Sequence, residues 1–209
     1  MDINAAIASE RRRIADLVDS LSPAQLEVRS LCGEWTVREV AGHLLAAVSP
    51  VPGRQVLGLF VTSGFRLHKA NARLAVAVAR RPSLAADLRA LADNQFRAPV
   101  VGYPGQLTDL QVHGQDMRRP LGLPHGLDLE RVRVSLEFLT GGRALGFTPR
   151  RRLAGLHLEA TDLSWSWGSG ATLAGPAEAL MMALTGRRAA LADLDGPGVR
   201  VLASRLPGR

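Results

Sequence analysis

Residues 35–44 carry a complete helix start, Trp35-Thr36-Val37-Arg38-Glu39-Val40-Ala41-Gly42-His43-Leu44. The Thr36 hydroxyl can accept a hydrogen bond from the Glu39 amide, and the Glu39 carboxylate can accept one from the Thr36 amide, which is a capping box. Beyond this start, Val40, His43 and Leu44 share one helical face because they are spaced by three and four residues. The segment therefore predicts a helix with His43 on its apolar face.

A second motif covers residues 108–116, Thr-Asp-Leu-Gln-Val-His-Gly-Gln-Asp. It lies in a predicted helix over about 106–118, on which Asp109, His113 and Asp116 share a face because they stand at i, i+4 and i+7. With His43 added, Asp109 and His113 complete a set of two imidazoles and one carboxylate. This is the donor set of zinc sites that keep a position open for water or substrate.

Each of these residues also has an interpretation without a metal ion. A single histidine on an apolar helix face, such as His43, is more often a hydrogen-bonded core residue. Asp109 suits a solvated helix position or an ion pair, and His113 with Asp116 suits a local side-chain pair. The spacing alone leaves both interpretations open.

Length and composition limit the class of protein. The 209 residues, 46% of them hydrophobic, can bury the core of one domain, or of one domain with a small appendage. No apolar run approaches the ~18 residues that span a bilayer, and residues 1–4 do not resemble a secretion signal. A single cysteine, Cys32, excludes an intramolecular disulfide. We therefore expect a cytoplasmic protein that does not engage a membrane.

The net charge of +7 raises nucleic-acid binding as an alternative. Against it, Lys69 is the only lysine, the arginines stand in short separate groups, and aromatic residues make up only 4% of the chain, which is poor for base stacking. We therefore disfavour nucleic acid as a partner. The same charge can steer small anionic substrates.

Periodicity predicts an α+β fold that is mainly α. Amphipathic spacing predicts helices over about 3–21, 36–48, 56–80, 83–95, 106–118 and 129–139. After residues 141–142 the pattern predicts strands over 152–160 and 163–167, a helix over 176–194 and a short strand over 199–202. The expected organisation is a helical bundle over 1–140 and a small α/β domain over 141–209.

The two motifs resemble a known family. Residues 32–44, Cys-Gly-Glu-Trp-Thr-Val-Arg-Glu-Val-Ala-Gly-His-Leu, resemble the first signature of the mycothiol-dependent maleylpyruvate isomerase family, within the DinB/YfiT-like superfamily. Residues 109–122, Asp-Leu-Gln-Val-His-Gly-Gln-Asp-Met-Arg-Arg-Pro-Leu-Gly, resemble its second signature, and residues 175–187 resemble its C-terminal part. The resemblance implies a DinB-like four-helix bundle that binds a divalent metal ion, followed by a small α/β segment.

The resemblance also implies roles for single residues. His43, Asp109 and His113 correspond to the metal ligands of the family, whose best-known members have glutamate at the position of Asp109. Asp116 is expected to orient His113 or to pair with the nearby arginines. Arg187, in the element Leu-Thr-Gly-Arg, is the candidate for holding a substrate carboxylate, with a surface arginine near a helix end as the alternative.

The implied function is that of a metal-dependent enzyme, with zinc as the expected ion. It would use a metal-activated low-molecular-weight thiol, mycothiol, for isomerisation or thiol transfer on a small electrophilic, anionic substrate. The alternative is a non-catalytic helical bundle that binds a metal ion or a small ligand, with structural histidines.

Overall fold

A computed structural model of the chain describes residues 1–49, 67–97, 100–142 and 144–207. The helices are α1 (Ile3–Ser20), α2 (Pro23–Leu26), α3 (Val37–Ala46), α4 (Leu67–Ala79), α5 (Leu84–Ala90), α6 (Gly102–Arg118), α7 (Leu129–Thr140), α8 (Arg150–Leu153), α9 (Ala177–Leu184) and α10 (Gly198–Ala203). The strands are β1 (Leu156–Ala160), β2 (Ser166–Gly168) and β3 (Ala171–Gly175). The α+β, mainly α fold class is therefore confirmed.

The chain divides into two compact units. The first consists of Met1–Phe96 with Asp116–Leu123, and the second of Arg97–Gln115 with Pro124–Arg209. Helix α6 contributes its last turn to the first unit and the rest of its length to the second. Among the helices of the described ranges, none combines the length and apolarity needed to cross a membrane.

In the first unit, α1 packs against α5, and α3 packs against α4 and α5. The apolar face predicted for α1 is buried at Ile7, Ile14 and Leu17. The same helix also buries Arg11, whose guanidinium donates to the carbonyls of Ala92 at 2.8 Å and Asn94 at 2.7 Å. Burial lowers the pKa of Arg11. This arginine therefore belongs to the scaffold that connects α1 to the segment after α5.

Helix α3 begins where the sequence predicts. The Glu39 amide donates to the Thr36 hydroxyl at 3.3 Å, and the Thr36 amide donates to the Glu39 carboxylate at 2.9 Å. Both halves of the capping box are present, so two amides of the first turn are satisfied locally. The capping box therefore sets the start of α3 locally, and the Val37 amide adds a hydrogen bond to the Val28 carbonyl at 2.9 Å.

In the second unit, the sheet has the order β2-β1-β3, with β1 antiparallel to β2 and parallel to β3. Leu158, at the centre of β1, lies opposite Trp167 on one side and Leu173 on the other and has no exposed surface. Every residue of α9 is buried, because this helix packs against both α7 and the sheet. The core of this unit therefore lies between the sheet and α9.

The C-terminal elements differ from the prediction in three respects. The strand predicted over 199–202 is wrong, because these residues belong to α10, which packs against β3. The strand predicted from 152 starts only at Leu156, after α8 and a left-handed Gly155 at φ 65°. The helix predicted over 176–194 ends at Leu184, followed by a left-handed Gly186 and a 3₁₀ turn at Arg188–Asp193. Short apolar runs fit a strand or a helix equally well, and packing decides between them.

Other boundaries shift by a few residues. Helix α6 begins four residues earlier than predicted, and α5 is shorter than its predicted span. The strand β3 is an addition to the prediction. Of the long helix predicted over 56–80, the described part is α4, and residues 56–66 lie outside the described residues.

Candidate metal centre

Helix α6 brings two of the predicted ligands together. The Nε2 atom of His113 lies 3.4 Å from Oδ1 of Asp109, one helical turn away. The His113 side chain is 10% exposed and that of Asp109 is 30% exposed. His113 is therefore largely buried, whereas Asp109 is partly exposed to solvent.

The distance between these two atoms fits neighbouring ligands of one ion. The two groups lie within ion-pair distance of each other when the imidazole is protonated, and the same separation is compatible with two ligands of one ion. Two ligands of a tetrahedral zinc ion, each about 2.0–2.1 Å from the metal, lie about 3.3 Å apart. The 3.4 Å separation of Asp109 and His113 matches this value. The donor chemistry and the spacing both suit zinc.

His43 lies on α3, in the first unit, and is half-buried. Its imidazole packs against the indole of Trp35, with ring centroids 5.2 Å apart and ring planes tilted by 40°. Trp35 directly precedes the capping residue Thr36. The local structure that starts α3 therefore also places an aromatic surface beside the imidazole and restricts its orientation.

Asp116 lies one turn beyond His113 and has no exposed surface. Its backbone carbonyl accepts a hydrogen bond from the Leu31 amide at 3.1 Å. This bond connects the last turn of α6 to the loop that carries the half-buried Cys32. The orienting role of Asp116 stays a prediction.

One residue that the sequence analysis did not single out shares the face of the pair. Gln106 precedes Asp109 by three residues and His113 by seven, so the three side chains lie on one side of α6. Its Oε1 atom is buried and has no hydrogen-bond partner among the described residues. Buried polar atoms are nearly always satisfied, so this acceptor is available to a water or to a group of a bound ligand. The i, i+3, i+7 spacing was the signal that could have identified it.

Two other histidines have structural partners in the second unit. Nδ1 of His125 lies 2.9 Å from Oε1 of Gln115, whose amide nitrogen donates to the His125 carbonyl at 3.1 Å. Nδ1 of His157 lies 3.0 Å from the Gly168 carbonyl, across the β1–β2 pair. These contacts explain both residues without a metal ion.

Arg187 follows Gly186 just beyond the end of α9 and is half-buried. Its guanidinium donates to the Thr185 carbonyl at 3.0 Å. Burial lowers the pKa of the nearby Arg152, and the positive charges of Arg151 and Arg187 lower it further. Positive charge is therefore concentrated at this end of α9, while a contact of Arg187 with substrate stays a prediction.

Comparison with known proteins identifies a related fold. Residues 7–54 match the family model of the mycothiol maleylpyruvate isomerase N-terminal domain. The crystal structure of a mycothiol-dependent maleylpyruvate isomerase is similar, with a TM-score of 0.51 at 12% identity, covering 94% of this chain and 90% of that chain. A second crystal structure is that of a mycothiol-dependent maleylpyruvate isomerase with one histidine-to-alanine change. It is similar with a TM-score of 0.56 at 13% identity, and it covers the same shares of the two chains. No curated protein matches the chain in sequence.

Proposed function

We propose that this protein is a metal-dependent, thiol-using enzyme, because residues 7–54 match the model of the mycothiol maleylpyruvate isomerase N-terminal domain. Its ligands for a divalent ion, zinc, are His43, Asp109 and His113. The observation that carries the proposal is the Asp109–His113 pair, whose ligand atoms are separated as they would be on one tetrahedral ion.

The donor set supports this assignment. We consider two donor sets, His43 with Asp109 and His113, and Cys32 with His113 and Asp116. We favour the first set because three protein ligands of nitrogen and oxygen type leave a position open, as catalytic zinc sites require. In the second set, Asp116 keeps the supporting role expected from the sequence, and Cys32 is half-buried.

Zinc, when bound, supplies a Lewis acid that keeps a coordinated thiol deprotonated near neutral pH. The residues around the ion hold its ligands in place and orient them. Burial of His113 and the contact of His43 with Trp35 restrict both imidazole rings. We assign to the Gln106 oxygen, which is buried without a partner among the described residues, the role of accepting a hydrogen bond from a group bound beside Asp109.

The reaction we propose is the isomerisation of a small electrophilic carboxylate, with mycothiol as the thiol and the cytoplasm as the compartment. Addition of the thiol to an activated double bond leaves a single bond that can rotate, and loss of the same thiol returns the double bond in the other geometry. Arg187 holds the substrate carboxylate, because the planar guanidinium matches a carboxylate in a bidentate pair.

Elemental analysis of protein purified without an affinity tag tests the metal site. We expect about one zinc ion per wild-type chain, and loss of the ion in both His43→Ala and His113→Ala, since each removes one of three ligands. His125→Ala is the matched control, because its imidazole is hydrogen-bonded to Gln115 instead, and it should keep the metal. Full occupancy in both ligand variants would contradict the proposed site.

Two further variants separate the candidate ligand sets. Cys32→Ser should keep the ion, and loss of metal there would favour the second set. Asp109→Glu should bind zinc no more tightly than wild type, since the aspartate already lies at the ligand separation and an added methylene displaces its oxygen. A clear gain in affinity would show that Asp109 is too short to serve as a ligand.

Turnover tests the reaction itself. With zinc and mycothiol present, we expect isomerisation of maleylpyruvate or a related unsaturated keto acid, followed by the change in its absorbance. Omission of the thiol should abolish the reaction. Protein that binds zinc fully but shows no thiol-dependent turnover would instead support a non-catalytic metal-binding protein.

A further inference from the structure

A cleft of about 1000 Å³ opens in the second unit. It is bounded by the end of α7, the following loop, α8, the start of β1 and the β2–β3 turn. Apolar side chains cover much of its wall, among them Leu139, Phe147 and Trp167. Neither Asp109 nor His113 is among its described lining residues. The cleft is therefore separate from the α6 pair.

Arg152 is buried in the wall of this cleft, with 9% of the residue exposed. One end of its guanidinium is satisfied, because Nη1 donates to the Leu184 carbonyl at 2.7 Å. Its Nε atom is buried and has no acceptor among the described residues. A buried donor attached to a charged group is costly to leave unpaired. The wall therefore contains a cationic donor that the described part of the protein does not satisfy.

Arg150 adds a second guanidinium, from the first position of α8. Its Nη2 atom lies against the loop, where a Cβ on Gly142 would come within 2.9 Å of it. Gly142 has φ 78°, so the backbone there already favours glycine. The loop backbone and the Arg150 guanidinium are therefore in close contact at the rim of the cleft.

Charge in the cleft has one sign. Two arginines line it, and no aspartate or glutamate is among its described lining residues. The charges of Arg151 and Arg187 also act on Arg152. A cleft lined with charges of one sign attracts ions of the opposite sign. The apolar surface requires that the ion carry an apolar part as well.

We propose that this cleft binds an amphipathic organic anion, with Arg150 and Arg152 of the wall supplying the positive charge that attracts its acidic group and its apolar body against Phe147 and Trp167. The volume lies at the upper end of the range for pockets that bury small organic ligands. A small inorganic anion would leave the apolar walls in contact with water. The proposal rests only on the second unit and does not depend on a metal ion.

Fluorescence titration with 8-anilinonaphthalene-1-sulfonate tests the cleft, because this probe joins an anionic group to an apolar aromatic body. Wild type should bind one probe molecule per chain saturably while its circular dichroism stays native. N-phenyl-1-naphthylamine has a similar body without the charge and serves as the neutral control. It should bind at least tenfold more weakly if the arginines recognise the sulfonate.

Two adjacent exposed arginines provide the matched variants. Arg150→Met removes a charge that lines the cleft and should raise the dissociation constant of the anionic probe about tenfold. Arg151→Met removes the same charge from a residue outside the lining and should change it less than threefold. Affinity for the neutral probe should change little in either variant. Arg152→Met should weaken binding at least as much as Arg150→Met wherever it still folds.

The proposal is overturned if wild type shows no saturable binding at one site, if both probes bind equally, or if Arg150→Met and Arg151→Met weaken binding to the same extent. His113→Ala should leave probe binding unchanged. Unchanged probe binding in this variant would show that the cleft is distinct from the metal site. The cleft proposal and the metal proposal can therefore fail independently of each other.

Discussion

Replacing Gly42 by alanine sets two effects against each other in helix α3. In an isolated helix the change stabilises by about 1 kcal/mol, because alanine is the better helix former. In this fold an added Cβ would lie 2.5 Å from the Ala75 carbonyl oxygen and 2.7 Å from the Ala79 Cβ, whereas ordinary contact begins near 3.4 Å. Both neighbours belong to α4 and are buried.

The geometry decides which effect is larger. The closest atom belongs to the backbone of α4, so no side-chain rotation relieves the overlap, and the two helices must separate by roughly 1 Å. Such overpacking costs typically about 1–3 kcal/mol, and it increases as other contacts between the helices loosen. Because the backbone cannot rotate away, we expect a cost in the upper part of this range, about 2–3 kcal/mol, and after the gain of about 1 kcal/mol in helix propensity a net loss of about 1–2 kcal/mol. For a chain of this length that corresponds to a fall in Tm of about 2–8 °C.

Urea denaturation followed by circular dichroism at 222 nm measures this difference. The matched control is Gly114→Ala in α6, where no described atom lies within 4 Å of the added Cβ. There the gain in helix propensity should prevail and stability should rise by about 0.5–1 kcal/mol. If Gly42→Ala equals or exceeds wild type in stability, the close contact between α3 and α4 is not as described.

Two more substitutions test other parts of the scaffold by the same unfolding measurement. Thr36→Ala removes the side-chain acceptor for the Glu39 amide and should cost about 1 kcal/mol, while Thr36→Ser keeps that acceptor and should retain most of the stability; equal stability of all three proteins would refute the capping role. Leu158→Ala opens a cavity at the centre of the sheet and should cost about 2–5 kcal/mol, because this side chain is fully buried; a loss below 1 kcal/mol would show that the sheet core is loosely packed.

The parts of the structure that could be predicted are those governed by near neighbours in the sequence. The capping box of Thr36 and Glu39 joins residues three apart, so its two hydrogen bonds follow from the local order of side chains alone. Asp109 and His113 are also one turn apart, and helical geometry brings them together wherever α6 lies. The family resemblance is confirmed over residues 7–54, which contain the first of these segments but not the second.

The C-terminal elements could not be predicted in the same way. Strand β3 pairs in parallel with β1, and the residues that pair are about fifteen apart, for example Leu158 with Leu173. Residues 199–202 alternate like a strand, yet they are helical because α10 packs against β3. A Cβ on Gly198, where α10 begins, would come within 2.7 Å of the Thr172 carbonyl oxygen. Contacts of this kind depend on the tertiary structure, which a short pattern does not contain.

By itself the sequence determined where α3 begins and which residues of α6 face the same side, because capping and helical spacing act over three or four residues. Only the tertiary structure decided which neighbours these faces meet. It set the backbone of α4 against Gly42 and left the Gln106 oxygen without a described partner. It also buried Arg152 in the wall of a cleft without acidic side chains among its described lining residues. The physical reason is that burial and contact depend on residues far apart in the chain, which packing alone brings together.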